Sequence, residues 1–155
     1  MKKRILILVM FFALFTGCSR LPREFSWADY KGTYVGNNSA VGTILNKLPA
    51  NEYLTGFSLK TNQPPYEITI AYKDFQYTDV KIGKKEEKQV SQETVLKGNA
   101  VVLFSLIENV DAIHFDLEDH NVISFSRHEL VGEFEDFDQF IQNDSSMQKL
   151  YKATN

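Results

Sequence analysis

Tyr34-Val35-Gly36-Asn37-Asn38-Ser39-Ala40-Val41-Gly42-Thr43-Ile44-Leu45-Asn46-Lys47-Leu48-Pro49 holds a turn, a helix start, an apolar face and a stop. The rest of the chain can be arranged around this stretch. Gly36 permits a backbone bend that other residues resist, and Asn37, Asn38 or Ser39 can accept a hydrogen bond from the first unpaired amides of a helix. A helix is therefore predicted to begin near Ser39. Val41, Ile44, Leu45 and Leu48 recur on one face, and Pro49 ends the run while disfavouring helical geometry at Leu48.

After Pro49, Tyr53 to Lys60 alternates partially and Asn62-Gln63-Pro64-Pro65 reads as a turn. Tyr66, Ile68, Ile70 and Tyr72 then share one face of a strand, so the two runs are expected to form a hairpin with its apolar side inward. Asp74 to Gln89, with the mixed charges of Lys81 to Lys88, reads as a solvated loop. A second helix is expected from Ser91, a candidate cap, to about Asn109. Val95, Leu96, Ala100, Leu103, Phe104 and Ile107 form its main stripe, and Val101, Val102 and Leu106 widen it beyond what a surface helix shows. Ile113 to Glu118 alternates strictly, Asp119-His120-Asn121 turns, and Val122 to Ser126 returns as a partner strand. The predicted class is α+β in the order helix, hairpin, helix, hairpin. It makes a four-stranded, mostly antiparallel sheet covered by two helices. Leu130, Val131, Phe134, Phe137, Phe140 and Ile141 suggest short C-terminal helices.

Upstream, Lys2, Lys3 and Arg4 precede an apolar run from Ile5 to Phe15 and then Thr16-Gly17-Cys18, the layout of a secretory signal. The run is shorter than the ~20 apolar residues a membrane-spanning helix needs. Leu14-Phe15-Thr16-Gly17-Cys18 resembles the lipobox of bacterial lipoproteins, in which the cysteine receives a diacylglyceryl group and becomes the first mature residue. The resemblance implies a signal peptide over residues 1–17, a short tether over 18–24 and one extracytoplasmic domain over 25–155. Removing 17 residues from 155 leaves 138, a length that suits one domain. Cys18 is the single cysteine, so its lipidation excludes a disulfide, a thiolate nucleophile and a cysteine metal site. Without Lys2, Lys3 and Arg4 the formal charge falls from −3 to −6, which argues against nucleic acid as a partner. Six tether residues reach about 20 Å at full extension, so the domain is expected close to the lipid surface. Phe25, Trp27 and Tyr30 follow, spaced to place aromatic rings either on the core or against the headgroup layer, with core packing the expected outcome.

The chemistry-bearing residues are sparse. His114, Asp116, Glu118 and His120 occupy alternate positions and are metal-ligand types, but the same pattern describes the wet side of a strand whose Ile113, Phe115 and Leu117 fill the core. His128-Glu129-Leu130-Val131-Gly132 begins like the H-E-x-x-H zinc motif, with Gly132 where the second histidine belongs. Ser146 to Lys149 matches S-x-x-K without the companion motifs of an acylation site. No nucleophile elbow, phosphate loop or dinucleotide fingerprint is present. No catalytic residue, metal site or cofactor is predicted.

Tyr34-Val35-Gly36-Asn37-Asn38-Ser39, with Asn99-Ala100 and Leu103-Phe104-Ser105-Leu106-Ile107-Glu108-Asn109-Val110, resembles the domain of unknown function numbered 4825, over roughly Tyr30 to Arg127. The resemblance implies an envelope setting. That family is mostly Gram-positive lipoproteins, and similar domains occur attached to membrane-bound sensor metallopeptidases; no catalytic residues come with it. The expected function is a non-enzymatic binding or sensing module. It would be lipid-anchored through Cys18 at the outer face of the cytoplasmic membrane, with an integral membrane protein as partner. Tyr34, Asn37, Asn38 and Ser39 form the candidate partner surface. The alternative is a metal-dependent or other hydrolase of the envelope.

Overall fold

The computed structural model describes residues 24–81, 87–118 and 121–133. The architecture is mixed α+β. Helix α1 spans Asn38–Leu45, followed by β1 (Leu54–Lys60), β2 (Glu67–Tyr72), β3 (Tyr77–Lys81), β4 (Glu87–Ser91), α2 (Gln92–Leu106), β5 (Ala112–Leu117), β6 (Val122–Ser126) and α3 (Arg127–Gly132). The main sheet has four strands in the order β1-β2-β5-β6, and β3 pairs with β4 alone. The outer pairings, β1 with β2 and β5 with β6, are antiparallel, whereas the central strands β2 and β5 run parallel in register from Glu67 opposite Ala112 to Tyr72 opposite Leu117.

Alternation decides which side of the sheet is buried. Ile68, Ile70 and Tyr72 on β2 and Ile113, Phe115 and Leu117 on β5 are buried, while Glu67, Thr69, His114 and Asp116 between them stay part-exposed. On β1 a register shift between Leu54 and Gly56 lets Leu54 join Phe57 and Leu59 against the core despite their odd spacing. Aromatic rings knit this face together: Phe115 stacks on Tyr72 at 5.9 Å and meets Phe125 edge-on at 6.0 Å. α1 lies on the same face, where a Cβ at Gly42 would stand 3.4 Å from the Phe57 ring.

α2 is the centre of the molecule. Val95, Leu96, Ala100, Val101, Val102, Leu103, Phe104 and Leu106 are all buried, so the helix is enclosed rather than laid on a surface. Trp27 is buried in the same core, with Phe25 and Tyr30 half-buried beside it. Phe25 meets Trp27 edge-on at 4.8 Å and stacks on Tyr30 at 5.3 Å.

Several expected boundaries shift, each for a visible reason. Asp74 to Gln89 is not one loop: Tyr77–Lys81 and Glu87–Ser91 form a hairpin, with Thr78, Val80 and Val90 turned inward. Asp79, Glu87 and Lys88 on these two strands stay exposed. This hairpin interrupts the predicted helix-hairpin-helix-hairpin order. α1 stops at Leu45 rather than Leu48: the Lys47 and Leu48 N–H groups donate three residues back, to the Ile44 and Leu45 carbonyls, the Asn46 side chain donates to the Gly42 carbonyl, and Ala50 then turns the chain at φ +63°. α2 stops at Leu106 rather than Asn109, because Ile107 leaves helical geometry and bridges Thr33. Ser91 stands at the cap position of α2, yet its hydroxyl donates to Thr94 Oγ1 instead of accepting from a backbone amide. Gly36 has no left-handed backbone, and a Cβ there would meet nothing; the positive φ falls at Gly32, +78°.

Tyr72 carries an energetic liability. Its side chain is 2% exposed, and its hydroxyl has no partner within hydrogen-bonding geometry. Burial raises its pKa most, the Asn99 side chain pulls it partly back and Glu52 raises it again, to about 12. The pull from Asn99 shows that the amide is near, but the geometry leaves the hydroxyl unpaired. Tyr72→Phe removes an unsatisfied buried group and is expected to stabilise by about 1 kcal/mol at pH 7. Since the folded pKa lies above the unfolded value near 10, the wild-type is fully stable below pH 10 and weakens as pH rises toward 12. The variant's advantage should therefore grow by roughly another 1 kcal/mol at pH 11. Urea denaturation at the two pH values checks this; an advantage that shrinks with pH contradicts it.

Candidate functional site

The segment before α1 is fastened to the far end of α2. Thr33 donates its backbone N–H to the Leu106 carbonyl at 3.0 Å and accepts from the Glu108 N–H at 2.8 Å, and the Val35 N–H donates to Asn109 Oδ1 at 2.8 Å. Val35 is buried between these contacts. The chain then turns, with the Asn37 N–H donating to the Tyr34 carbonyl at 2.9 Å, and Asn37 Oδ1 accepts from the Ala40 N–H at 3.1 Å to cap α1. Among the three candidate caps, Asn37 is thus the one used. Tyr34, Asn37, Asn38 and Ser39 all stay exposed, Tyr34 at 57%, so the structure brings the predicted partner surface together on one fixed turn. The fixing residue, Asn109, belongs to the stretch that carries the family resemblance but is not among the candidate site residues. A lone asparagine after a helix gives no sign that it reaches a backbone 74 positions away.

Asn99 has a related role. It is fully buried within α2, and its Nδ2 donates to the Pro49 carbonyl at 3.0 Å, holding the turn that leaves α1. Arg127, at the start of α3, reaches back to the same C-terminal end of α2: Nε donates to the Val110 carbonyl at 2.7 Å and Nη2 to the Ile107 carbonyl at 2.5 Å. The guanidinium also lies over the Phe104 ring, 5.1 Å from its centroid. Burial lowers its pKa, while the charge of Asp111 opposes that shift.

The polar side of the sheet is the other candidate. His114 Nδ1 lies 2.8 Å from Ser124 Oγ on β6, and its Nε2 lies 3.7 Å from Glu67 Oε2 on β2. Lys60 donates to Glu67 Oε1 at 2.8 Å; this hydrogen bond, the lysine's charge and His114 hold the Glu67 carboxyl below its ordinary range against a partial burial penalty. His114 is therefore engaged across the strands, not along its own strand with Asp116 and Glu118, and His120 lies outside the described residues. Among the described residues, no group of three or more His, Cys, Asp and Glu side chains is placed to hold a metal ion. Among the described residues, clefts flank this sheet at two places. One, of about 210 Å³, sits at the ends of β2 and β5 beside Thr55, Lys73, Asp116 and Glu118. The other, about 280 Å³, lies between β6, α2 and α3 beside Lys97, Ser124, Phe125, Glu129 and Leu130. His114 lines neither.

The residues that begin like a zinc motif belong to a helix cap. Ser126 Oγ accepts from the Glu129 N–H at 3.3 Å, an N-cap that starts α3, and donates to Glu129 Oε2 at 2.6 Å. The expected signal peptide, Cys18, the expected tether as far as Arg23, Ser146 to Lys149 and the apolar residues from Phe134 onward lie outside the described residues. No helix of the described residues is long and apolar enough to cross a membrane.

Comparison with known proteins gives one positive result. Neither the curated proteins nor the solved structures include a match to the chain. The family model described as a domain of unknown function, DUF4825, matches residues 27–128, a span that starts at buried Trp27, includes Val35, Asn37, Asn99 and Asn109, and closes just after Arg127. The chain therefore belongs to the DUF4825 family.

Proposed function

We propose that this chain is a binding or sensing module, lipidated at Cys18 and held at the outer face of the cytoplasmic membrane. In this reading it contacts an integral membrane protein through Tyr34, Asn37, Asn38 and Ser39. The observation that carries it is Tyr34: a large aromatic ring, 57% exposed, on a turn held by the Val35–Asn109 and Asn37–Ala40 hydrogen bonds. An exposed aromatic side chain on a pre-fixed backbone loses little freedom on binding and contributes large contact area. The Ser124–His114–Glu67 row supports a hydrolase less well. Glu67 is already bonded to Lys60, and although Ser124 borders one cleft, His114 and Glu67 line neither.

Two measurements test the reading. Cys18→Ala should release the protein from the membrane, and radiolabelled palmitate should enter the wild-type protein but not the variant; wild-type protein without label ends the anchoring claim. For the partner surface, crosslinking in native membranes is compared among wild-type, Tyr34→Ala and Asn38→Ala. Both side chains are exposed, so each substitution should change stability by no more than about 0.5 kcal/mol, while the crosslinked membrane protein is lost. Asn37→Ala, by contrast, removes the cap and should cost about 1 kcal/mol. Retention of the crosslink in both Tyr34→Ala and Asn38→Ala refutes the surface.

A further inference from the structure

The aromatic strip next to the tether faces two ways. Trp27 is buried, but Phe25 and Tyr30 are only half-buried, and the exposed Lys31 and Lys47 border them, with Lys47 Nζ 5.5 Å from the Phe25 ring centroid. Core packing alone does not require two lysines around a half-open aromatic pair. Charge along the chain is distributed in the same sense. Residues 18–47 contain four basic residues, Arg20, Arg23, Lys31 and Lys47, against the two acids Glu24 and Asp29; residues 48–155 contain ten basic against eighteen acidic. The chain is thus acidic as a whole and net basic along residues 18–47.

We infer that this end, built from Phe25, Tyr30, Lys31 and Lys47, rests on an anionic lipid surface and sets the orientation of the domain on the membrane. The inference rests on the proposed anchoring at Cys18. Six residues separate Cys18 from Phe25, so at full extension the aromatic strip lies within about 20 Å of the lipid attachment. Tyrosine and phenylalanine beside lysine suit the headgroup layer, where rings contact the acyl boundary and ammonium groups meet phosphate. The acidic remainder is repelled by the same surface, so attraction and repulsion favour one orientation. Tyr34, four residues beyond Tyr30, is then carried at the membrane-proximal end of the domain, within reach of an integral membrane partner.

Trp27 is the only tryptophan in the sequence and stacks edge-on against Phe25, so it reports on this end alone. The full-length protein is purified in mild detergent and reconstituted into phosphatidylcholine vesicles with or without phosphatidylglycerol, each doped with a lipid bearing a nitroxide at the headgroup. Quenching of Trp27 should be about twofold stronger in the anionic vesicles, and the excess should vanish at about 1 M salt, where the screening length is about 3 Å. Lys31→Glu/Lys47→Glu should abolish the excess while the thermal midpoint stays near wild-type. Equal quenching in the two lipids, or an excess indifferent to salt, overturns the inference; the salt arm decides even where the double variant does not fold. Mass spectrometry of the same wild-type sample shows whether Cys18 carries lipid. An unlipidated Cys18 refutes the anchor, whereas a lipidated Cys18 with equal quenching in the two lipids refutes the orientation alone.

Discussion

Arg127→Ala is expected to destabilise the protein by about 3 kcal/mol, the cost of leaving buried carbonyls without a charged donor. The side chain joins three things that no other described residue joins: the Ile107 carbonyl where α2 ends, the Val110 carbonyl in the link to β5, and the face of Phe104. Its backbone N–H adds a fourth contact, to the Asp111 carbonyl at 2.8 Å, which the substitution leaves in place. For a domain of this size the loss corresponds to a drop of roughly 10 °C in the thermal midpoint. Arg127→Lys is expected to recover less than half, because an ammonium keeps the charge but lacks the fork that spans two carbonyls. Urea denaturation followed by Trp27 fluorescence measures both; a loss below about 1 kcal/mol for the alanine variant would show that the contacts are incidental.

Phe115→Ala should cost more, about 4 kcal/mol, whereas His114→Ala on the same strand should stay within about 1 kcal/mol. Phe115 is fully buried between Tyr72 and Phe125 at the middle of the sheet, where its removal leaves a ring-walled cavity that cannot collapse easily. His114 is part-exposed, and its contacts to Ser124 and Glu67 lie on the wet side, where water replaces them. Comparable losses from the two substitutions, measured in one denaturation series, would mean that both sides of β5 are buried.

Much of this arrangement is legible in the sequence where burial is periodic. β2, β5 and β6 follow from alternation and α2 from its wide apolar arc, because both patterns report a local contact with the core. The hairpin of Tyr77–Lys81 with Glu87–Ser91 was hidden because only Thr78, Val80 and Val90 point inward, too few to stand out from lysines and glutamates. Strand order was equally hidden: nothing in Glu67–Tyr72 states that its second neighbour is Ala112–Leu117, running the same way. The residues that join the candidate surface to the core are single polar side chains acting over long sequence distances. Asn109 holds Val35 and Asn99 holds Pro49. Such contacts have no period, so the motif stretches Tyr34–Ser39 and Leu103–Val110 were recognisable as a pair long before their joining explained why.

The parallel pairing of β2 with β5 also governs the order in which the fold can be completed. A β1–β2 hairpin closes through local contacts, but the other edge of β2 has its partner only after the intervening hairpin and α2 have been traversed. A chain delivered N-terminus first across a membrane would present Ile68 and Ile70 on an open strand edge until Ala112–Leu117 arrives. During that interval the hazard is not unfolding but pairing with the wrong strand, from this chain or from a neighbour emerging beside it. Folding yield, more than equilibrium stability, is then the property most exposed to changes in residues 67–72 and 112–117.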